Sequence, residues 1–182
     1  MRPEVKYLRK NVFDFLNQRI FPLAIKSDSP VLEIGPMQEK WTPLKEYFID
    51  TRKYFLNQGI PYLSTDIDNN SGSDVICDIL DLKKNFLQGS VQSIIALEVI
   101  EHVSKVWELS EIFNHILIPG GKIFISTPFY FFRHAPFPDY WRISEDGLRL
   151  LFEERFSLEI TALVDDDERK PLHYTLIGTK NE

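Results

Sequence analysis

Short apolar runs alternate with longer amphipathic stretches from Pro30 to Thr127, and that alternation leaves the chain few folds. VLEIG (31–35), PYLSTDI (61–67), DVICDI (74–79), VQSIIAL (91–97) and KIFIST (122–127) have the length and composition of strands buried on both faces. Helical patterns separate several of them. Strands joined through helices cannot pair by tight hairpins, so each link crosses over a face and the strands run parallel. The pattern therefore predicts an α/β fold: a mostly parallel sheet with helices on both faces. Near the carboxyl terminus, FSLEITALV (156–164) and LHYTLIG (172–178) are joined by a short polar loop, which predicts an antiparallel hairpin and brings the sheet to seven strands.

The helices have their own signals. Val5, Leu8, Val12, Phe15 and Leu16 recur at helical spacing over residues 4 to 20, with Pro22 as a stop. Trp41 to Asn57 reads as a helix interrupted near Asp50 and Thr51, and Gly59-Ile60-Pro61 ends it. Ser104 is a candidate cap for a helix striped by Val106, Trp107, Ile112, Phe113, Ile116 and Leu117, which Pro119-Gly120-Gly121 closes. Ser144-Glu145-Asp146 marks one further helix start.

At 182 residues the chain suits a single domain over 1–182, with residues 1–28 as a helical cap. A net charge of −6 gives no long-range attraction to phosphate backbones, so no nucleic acid partner is expected. The acidic run Asp165-Asp166-Asp167-Glu168 reads as a solvated turn inside the terminal hairpin. No apolar segment reaches membrane-spanning length, and the amino terminus lacks a secretory apolar core, so a cytoplasmic protein with no membrane partner is expected. The single cysteine, Cys77, has no partner for an intrachain disulfide and reads as packing.

In open parallel sheets, ligands bind beyond the carboxyl ends of the strands. Gly35 permits a sharp turn there. Asp66, with Asp68 nearby, fits either a ribose diol or an ordinary turn, and Asp78-Ile79 fits an adenine amino group and ring. Taken in order, VLEIG, STDID, CDILDL, ALEVIEHV and ILIPGGKIFISTP resemble the motifs of class I S-adenosylmethionine-dependent methyltransferases, over roughly residues 30 to 128. That resemblance implies a Rossmann-like fold with S-adenosyl-L-methionine as cofactor. It places Glu33 and Gly35 at the methionine part, Asp66 at the ribose, Asp78 with Ile79 at the adenine and Glu98 in the pocket wall, with Pro36 and Ile67 also among the cofactor-binding residues. Two features depart from the family. Pro36, Met37 and Gln38 stand where further glycines are usual, and Gly35 to Asp66 is longer than the roughly twenty residues common before a ribose carboxylate.

Residues 129–143 form an aromatic, proline-rich segment without clean periodicity, which suits a substrate or lid loop but also a homodimer interface. Its HAPFPDYWR stretch (134–142) resembles methyltransferases of the type 11 group, which implies a small-molecule or glycan acceptor, with oxygen as the acceptor atom. His134 and His102 are the candidate bases, each equally suited to a structural hydrogen bond. Asp139 could orient a histidine or hold a hydroxyl, while Tyr140, Trp141 and Arg142 are candidate acceptor contacts. Glu98, Glu101, His102 and His134 could in principle ligate a metal, yet the first three match the family's non-metal motif, so none is expected. His115 and His173 lie in a helix and a strand and are not candidates. A non-catalytic domain that keeps the fold is the alternative reading. A nicotinamide-dependent oxidoreductase is disfavoured because GxGxxG is missing after the first strand.

Overall fold

A computed structural model of the chain describes residues 3–23, 27–37, 45–164, 167 and 169–182. The predicted helical residues Trp41 to Leu44, the Gln38 position, and Asp165, Asp166 and Glu168 of the acidic run lie outside the described residues, as do the side chains of Val5 and Leu8.

Seven strands form one sheet: β1 (Val31–Ile34), β2 (Tyr62–Asp66), β3 (Val75–Ile76), β4 (Val91–Leu97), β5 (Leu117–Pro128), β6 (Phe156–Leu163) and β7 (His173–Lys180). Their order is β3-β2-β1-β4-β5-β7-β6. β1 to β5 run parallel, while β7 lies antiparallel between β5 and β6. The predicted parallel sheet with a terminal hairpin is what forms.

Alternation along the strands builds a core on each face. Leu32, Ile94, Ile123 and Leu176 project to one side, against α4 (Leu82–Asn85), α5 (Leu109–Ile116) and α6 (Glu145–Phe152). Val31, Ile95, Phe124 and Ile177 project to the other. There they meet Val12 and Phe15 of α1 (Pro3–Phe15), Phe21 of the short α2 (Phe21–Leu23) and Phe55 of α3 (Thr51–Asn57). Each such apolar side chain, fully buried, contributes about 1.5–3 kcal/mol relative to exposure. Among the described residues no helix is long and apolar enough to cross a membrane.

Several boundaries differ from expectation for local reasons. The first helix does not stop before Pro22 but passes through a wider π turn at Leu16–Ile20 and on to Leu23. The wider turn makes room for the proline ring, which in a regular helix collides with the carbonyl four residues back. The break near Asp50 is present: a 3-10 turn at Lys45–Tyr47 gives way to α3, whose Lys53 amide is capped by the Asp50 carboxylate at 2.9 Å. Ser104 caps no helix; the chain makes a 3-10 turn at Val106–Glu108 and α5 starts at Leu109 without a side-chain cap. Ser144 does cap α6, accepting from Gly147 N at 3.2 Å. β3 is shorter than predicted because Asp78 diverts the chain into a 3-10 turn at Ile79–Asp81. Conversely, β5 begins before the Pro119-Gly120-Gly121 stop, at Leu117. Gly120 takes a positive φ of 69°, and a Cβ on Gly121 would stand 2.9 Å from Ile118 O and 3.0 Å from Gln92 O, so only glycine lets the strand pass this close to β4.

Gly178 of β7 lies between Ile123 and Leu158, whose side chains fill the volume a Cβ would need, at 2.7 Å and 3.2 Å. Replacing Gly178 by valine is expected to cost about 1–3 kcal/mol through overpacking, read as a lower urea midpoint at unchanged slope. An unchanged midpoint would show that the two neighbours yield freely.

Candidate functional site

Because β1 to β5 are parallel, the residues after each strand collect along one edge of the sheet. Gly35 turns the chain over the end of β1 with φ 63°, its amide bonded to Thr65 O at 2.9 Å. A Cβ there would stand 3.0 Å from Val99 Cγ2, so the β1 turn sits hard against the segment leaving β4. Met37 packs against the α1 side of the core, with Arg9 Nη1 3.9 Å from its sulfur. Glu33 points away from the edge into that same layer. Its buried carboxylate accepts from Tyr62 at 2.5 Å and from the Thr51 hydroxyl. Burial pushes its pKa up, although those two hydrogen bonds and Arg52 oppose the shift.

Asp66 ends β2 partly exposed and accepts from the Asp68 amide at 2.9 Å, and the neighbouring Ile67 is 71% exposed. Asp78 accepts from Leu80 N at 2.9 Å, capping its 3-10 turn. Ile79 belongs to the core cluster, so this strand end offers the Asp78 carboxylate and backbone rather than a free apolar side chain.

The end of β4 is the most constrained point. Glu98 has φ 58°, a left-handed conformation that non-glycine residues rarely adopt. Its amide bonds Ser126 O at 3.0 Å, and its Oε1 accepts from Ser126 Oγ at 2.8 Å and from His173 Nε2 at 2.5 Å. The fully buried His173 in turn accepts at Nδ1 from the Asn11 amide of α1, at 2.7 Å. Burial works against the Glu98 charge, but His173 and the two hydrogen bonds outweigh it and hold the carboxyl below its usual range. Sequence reading set His173 aside and did not single out Asn11 or Ser126. The available signal was a histidine inside an otherwise apolar and small-polar strand, where burial demands a partner.

Beyond Glu98 a 3-10 turn, Ile100–His102, seats the 129–143 loop. Glu101 O accepts from the amides of Tyr140 at 2.8 Å and Trp141 at 3.2 Å, and the Trp141 indole donates to Val103 O at 2.7 Å. Inside the loop Arg142 grips both Asp139 oxygens, at 2.6 and 2.7 Å, and donates to the carbonyls of Phe131, Phe132 and Trp141. Asp139 also accepts from His134 N at 2.8 Å. The Arg142 hydrogen bonds hold the Asp139 carboxyl well below the usual range. Asp139, Trp141 and Arg142 are thus engaged in shaping and seating the loop, while Tyr140 is half exposed and Phe137 more so. His102 and His134 meet edge to face with ring centroids 5.2 Å apart, beside the completely buried Glu101. Burial lowers the His102 pKa, while burial and the nearby Glu98 charge push Glu101 well up. The edge thus joins the strand ends that carry the cofactor-type motifs to the paired imidazoles. Glu101, passed over as a non-metal motif residue, lies at the centre of the second group.

No protein-family model matches the chain, and no curated protein matches it. Solved structures do. A SAM-dependent methyltransferase from Archaeoglobus fulgidus superposes with a TM-score of 0.68 at 15% identity, over 94% of each chain. An S-adenosylmethionine-dependent methyltransferase from Mesorhizobium loti gives 0.59 at 14% identity, over 94% of this chain and all of that one (100%). Phosphoethanolamine N-methyltransferase 2 of Haemonchus contortus, in complex with S-adenosyl-L-methionine, gives 0.60 at 11% identity, and there 94% of this chain spans 53% of the larger one. The sheet order, its reversed β7 and these superpositions define the fold as that of class I S-adenosylmethionine-dependent methyltransferases. At such identities the likeness carries the fold and leaves activity to the site.

Because Glu33 has a raised folded pKa, its contribution to stability is full below the ordinary carboxylate range and is lost as pH rises through that folded pKa. Glu33→Gln is therefore expected to lose less stability than the parent between pH 5 and pH 8 in paired urea titrations. Equal losses in the two proteins would mean that Glu33 titrates like a solvent-exposed carboxyl.

Proposed function

We propose that the chain is an S-adenosylmethionine-dependent methyltransferase that methylates an oxygen of a small molecule or glycan. The observation that carries this reading is the meeting, along one sheet edge, of the Gly35 turn, the Asp66 and Asp78 carboxylates and the His102–His134 pair. These residues fit the cofactor. Gly35 leaves bare backbone where a side chain would collide, and Asp66 at the end of β2 supplies acceptors suited to a ribose diol. When bound, the cofactor supplies an electrophilic methyl group on a sulfonium.

The protein's part is to hold the acceptor oxygen in line with the sulfur–methyl bond and to keep water away. As that bond breaks and the oxygen–methyl bond forms, the hydroxyl proton must leave. His102, whose pKa burial lowers, and His134 present imidazole nitrogens able to receive it. The 129–143 loop, with Tyr140 and Phe137 facing outward, is the acceptor-facing lid in this reading, and Asp139 and Arg142 fix its shape.

A non-catalytic domain is the second reading, favoured by one observation. Pro36 removes an amide donor from the first loop, and Met37 fills the position with a side chain packed on the core.

Calorimetric titration with S-adenosylmethionine, S-adenosylhomocysteine and NADH separates these readings. The first two are expected to saturate the protein and NADH is not. Asp66→Ala is expected to weaken S-adenosylmethionine binding by about tenfold or more, as befits lost hydrogen bonds to a charged group. Absence of S-adenosylmethionine binding by a folded sample would favour the non-catalytic domain.

A further inference from the structure

We propose that Glu101, His102 and His134 form a site for a divalent transition-metal cation, of which zinc is the type. One ligand atom from each lies within 4.8 Å of the other two. Glu101 Oε1 stands 3.8 Å from His102 Nε2 and 3.9 Å from His134 Nε2, too far for hydrogen bonds in either case. Neither Glu101 oxygen has a hydrogen-bond partner among the described residues, although the side chain is completely buried. His102 Nε2 is likewise buried and without a partner among the described residues.

The tautomers explain why these atoms stand apart. His102 Nδ1 lies 3.0 Å from Pro138 O, and His134 Nδ1 lies 3.0 Å from Ala135 O. A carbonyl only accepts, so in each ring the Nδ1 position carries the hydrogen and the neutral ring keeps a bare lone pair at Nε2. Two lone pairs and the Glu101 carboxyl group then face one another, with neither imidazole within hydrogen-bond distance of Glu101. A cation resolves that arrangement. An imidazole fixed by a backbone carbonyl on its far nitrogen is also the usual support of a metal-bound histidine.

Two imidazoles and one carboxylate suit zinc or manganese far better than magnesium, which keeps oxygen ligands and water. Bonds of about 2.0 Å at tetrahedral angles separate ligand atoms by about 3.3 Å, so the two distances from Glu101 to the imidazoles need contract by only about half an ångström. Three protein ligands also leave a position for a water or an acceptor oxygen. If the methyltransferase reading holds, and only then, the ion would hold the acceptor hydroxyl there and ease loss of its proton to solvent, the two imidazoles serving as ligands in place of receiving that proton.

The test is titration of the full chain, stripped with a chelator, with zinc, manganese and magnesium salts in the absence of S-adenosylmethionine. Saturable binding of about one zinc per chain is expected, with magnesium much weaker. Glu101→Gln and His134→Ala are expected to lower zinc affinity by roughly 100-fold or more, while His115→Ala on α5 leaves it unchanged. Circular dichroism confirms that each variant is folded. No saturable zinc binding by the folded parent, or zinc affinity in both ligand variants equal to that of the parent, would overturn the site. A separate titration with S-adenosylmethionine keeps the two ideas apart: zinc binding without cofactor binding removes only the methyltransferase reading, and the converse removes only the metal site.

Discussion

The hydrogen-bonded carboxylate of Glu98 holds the working edge of this sheet together. One oxygen of one side chain accepts from Ser126 of β5 and His173 of β7, and His173 in turn reaches Asn11 of α1. Four segments distant in sequence therefore meet at a residue whose backbone is itself in an unfavourable left-handed turn. Such a conformation costs of order 1–3 kcal/mol and persists only where the surroundings over-determine it. Here they do, and the direction in which the chain leaves β4 follows from it. That direction presents Val99 to the Gly35 turn and places the Ile100–His102 turn under the aromatic loop.

Three glutamates near this edge are buried or partly buried, and each is treated differently. Glu33 receives hydroxyls from Thr51 and Tyr62, which oppose the effect of burial without overcoming it, so its pKa stays raised. Glu98 receives a hydroxyl and an imidazole, which stabilise its charge. Glu101 receives neither, although an unpaired buried polar group ordinarily costs about 1–3 kcal/mol and a charged one more. A fold that satisfies two such groups so fully has the means to satisfy a third. Glu101, facing two imidazoles without a hydrogen bond among the described residues, is therefore the exception among the three.

Much of the architecture was legible because it rests on periodicity. β4 and α6 begin where the apolar run and the Ser144 cap say they should, and the Asp50 break divides the helix before β2 as expected. What escaped was set by contacts across the sheet rather than along the chain. β5 starts early because Gly121 tolerates the carbonyls of Ile118 and Gln92, which no local pattern records. The partners of His173 were unreadable for a like reason, since they lie 75 and 162 residues away. In the loop, the residue types of Asp139, Trp141 and Arg142 suggested acceptor contacts, but a sequence cannot tell a side chain that grips a ligand from one that grips its own main chain.

The loop's mode of attachment has an evolutionary consequence. It is fastened through the main-chain carbonyls of Glu101 and Val103 and by the internal Arg142 clasp, so its outward aromatic residues carry little of the fastening. Phe137, Tyr140 and Tyr130 are each about half exposed or more. Mutation can exchange them without loosening the scaffold, so the outward surface of the loop is free to vary while its attachment stays in place.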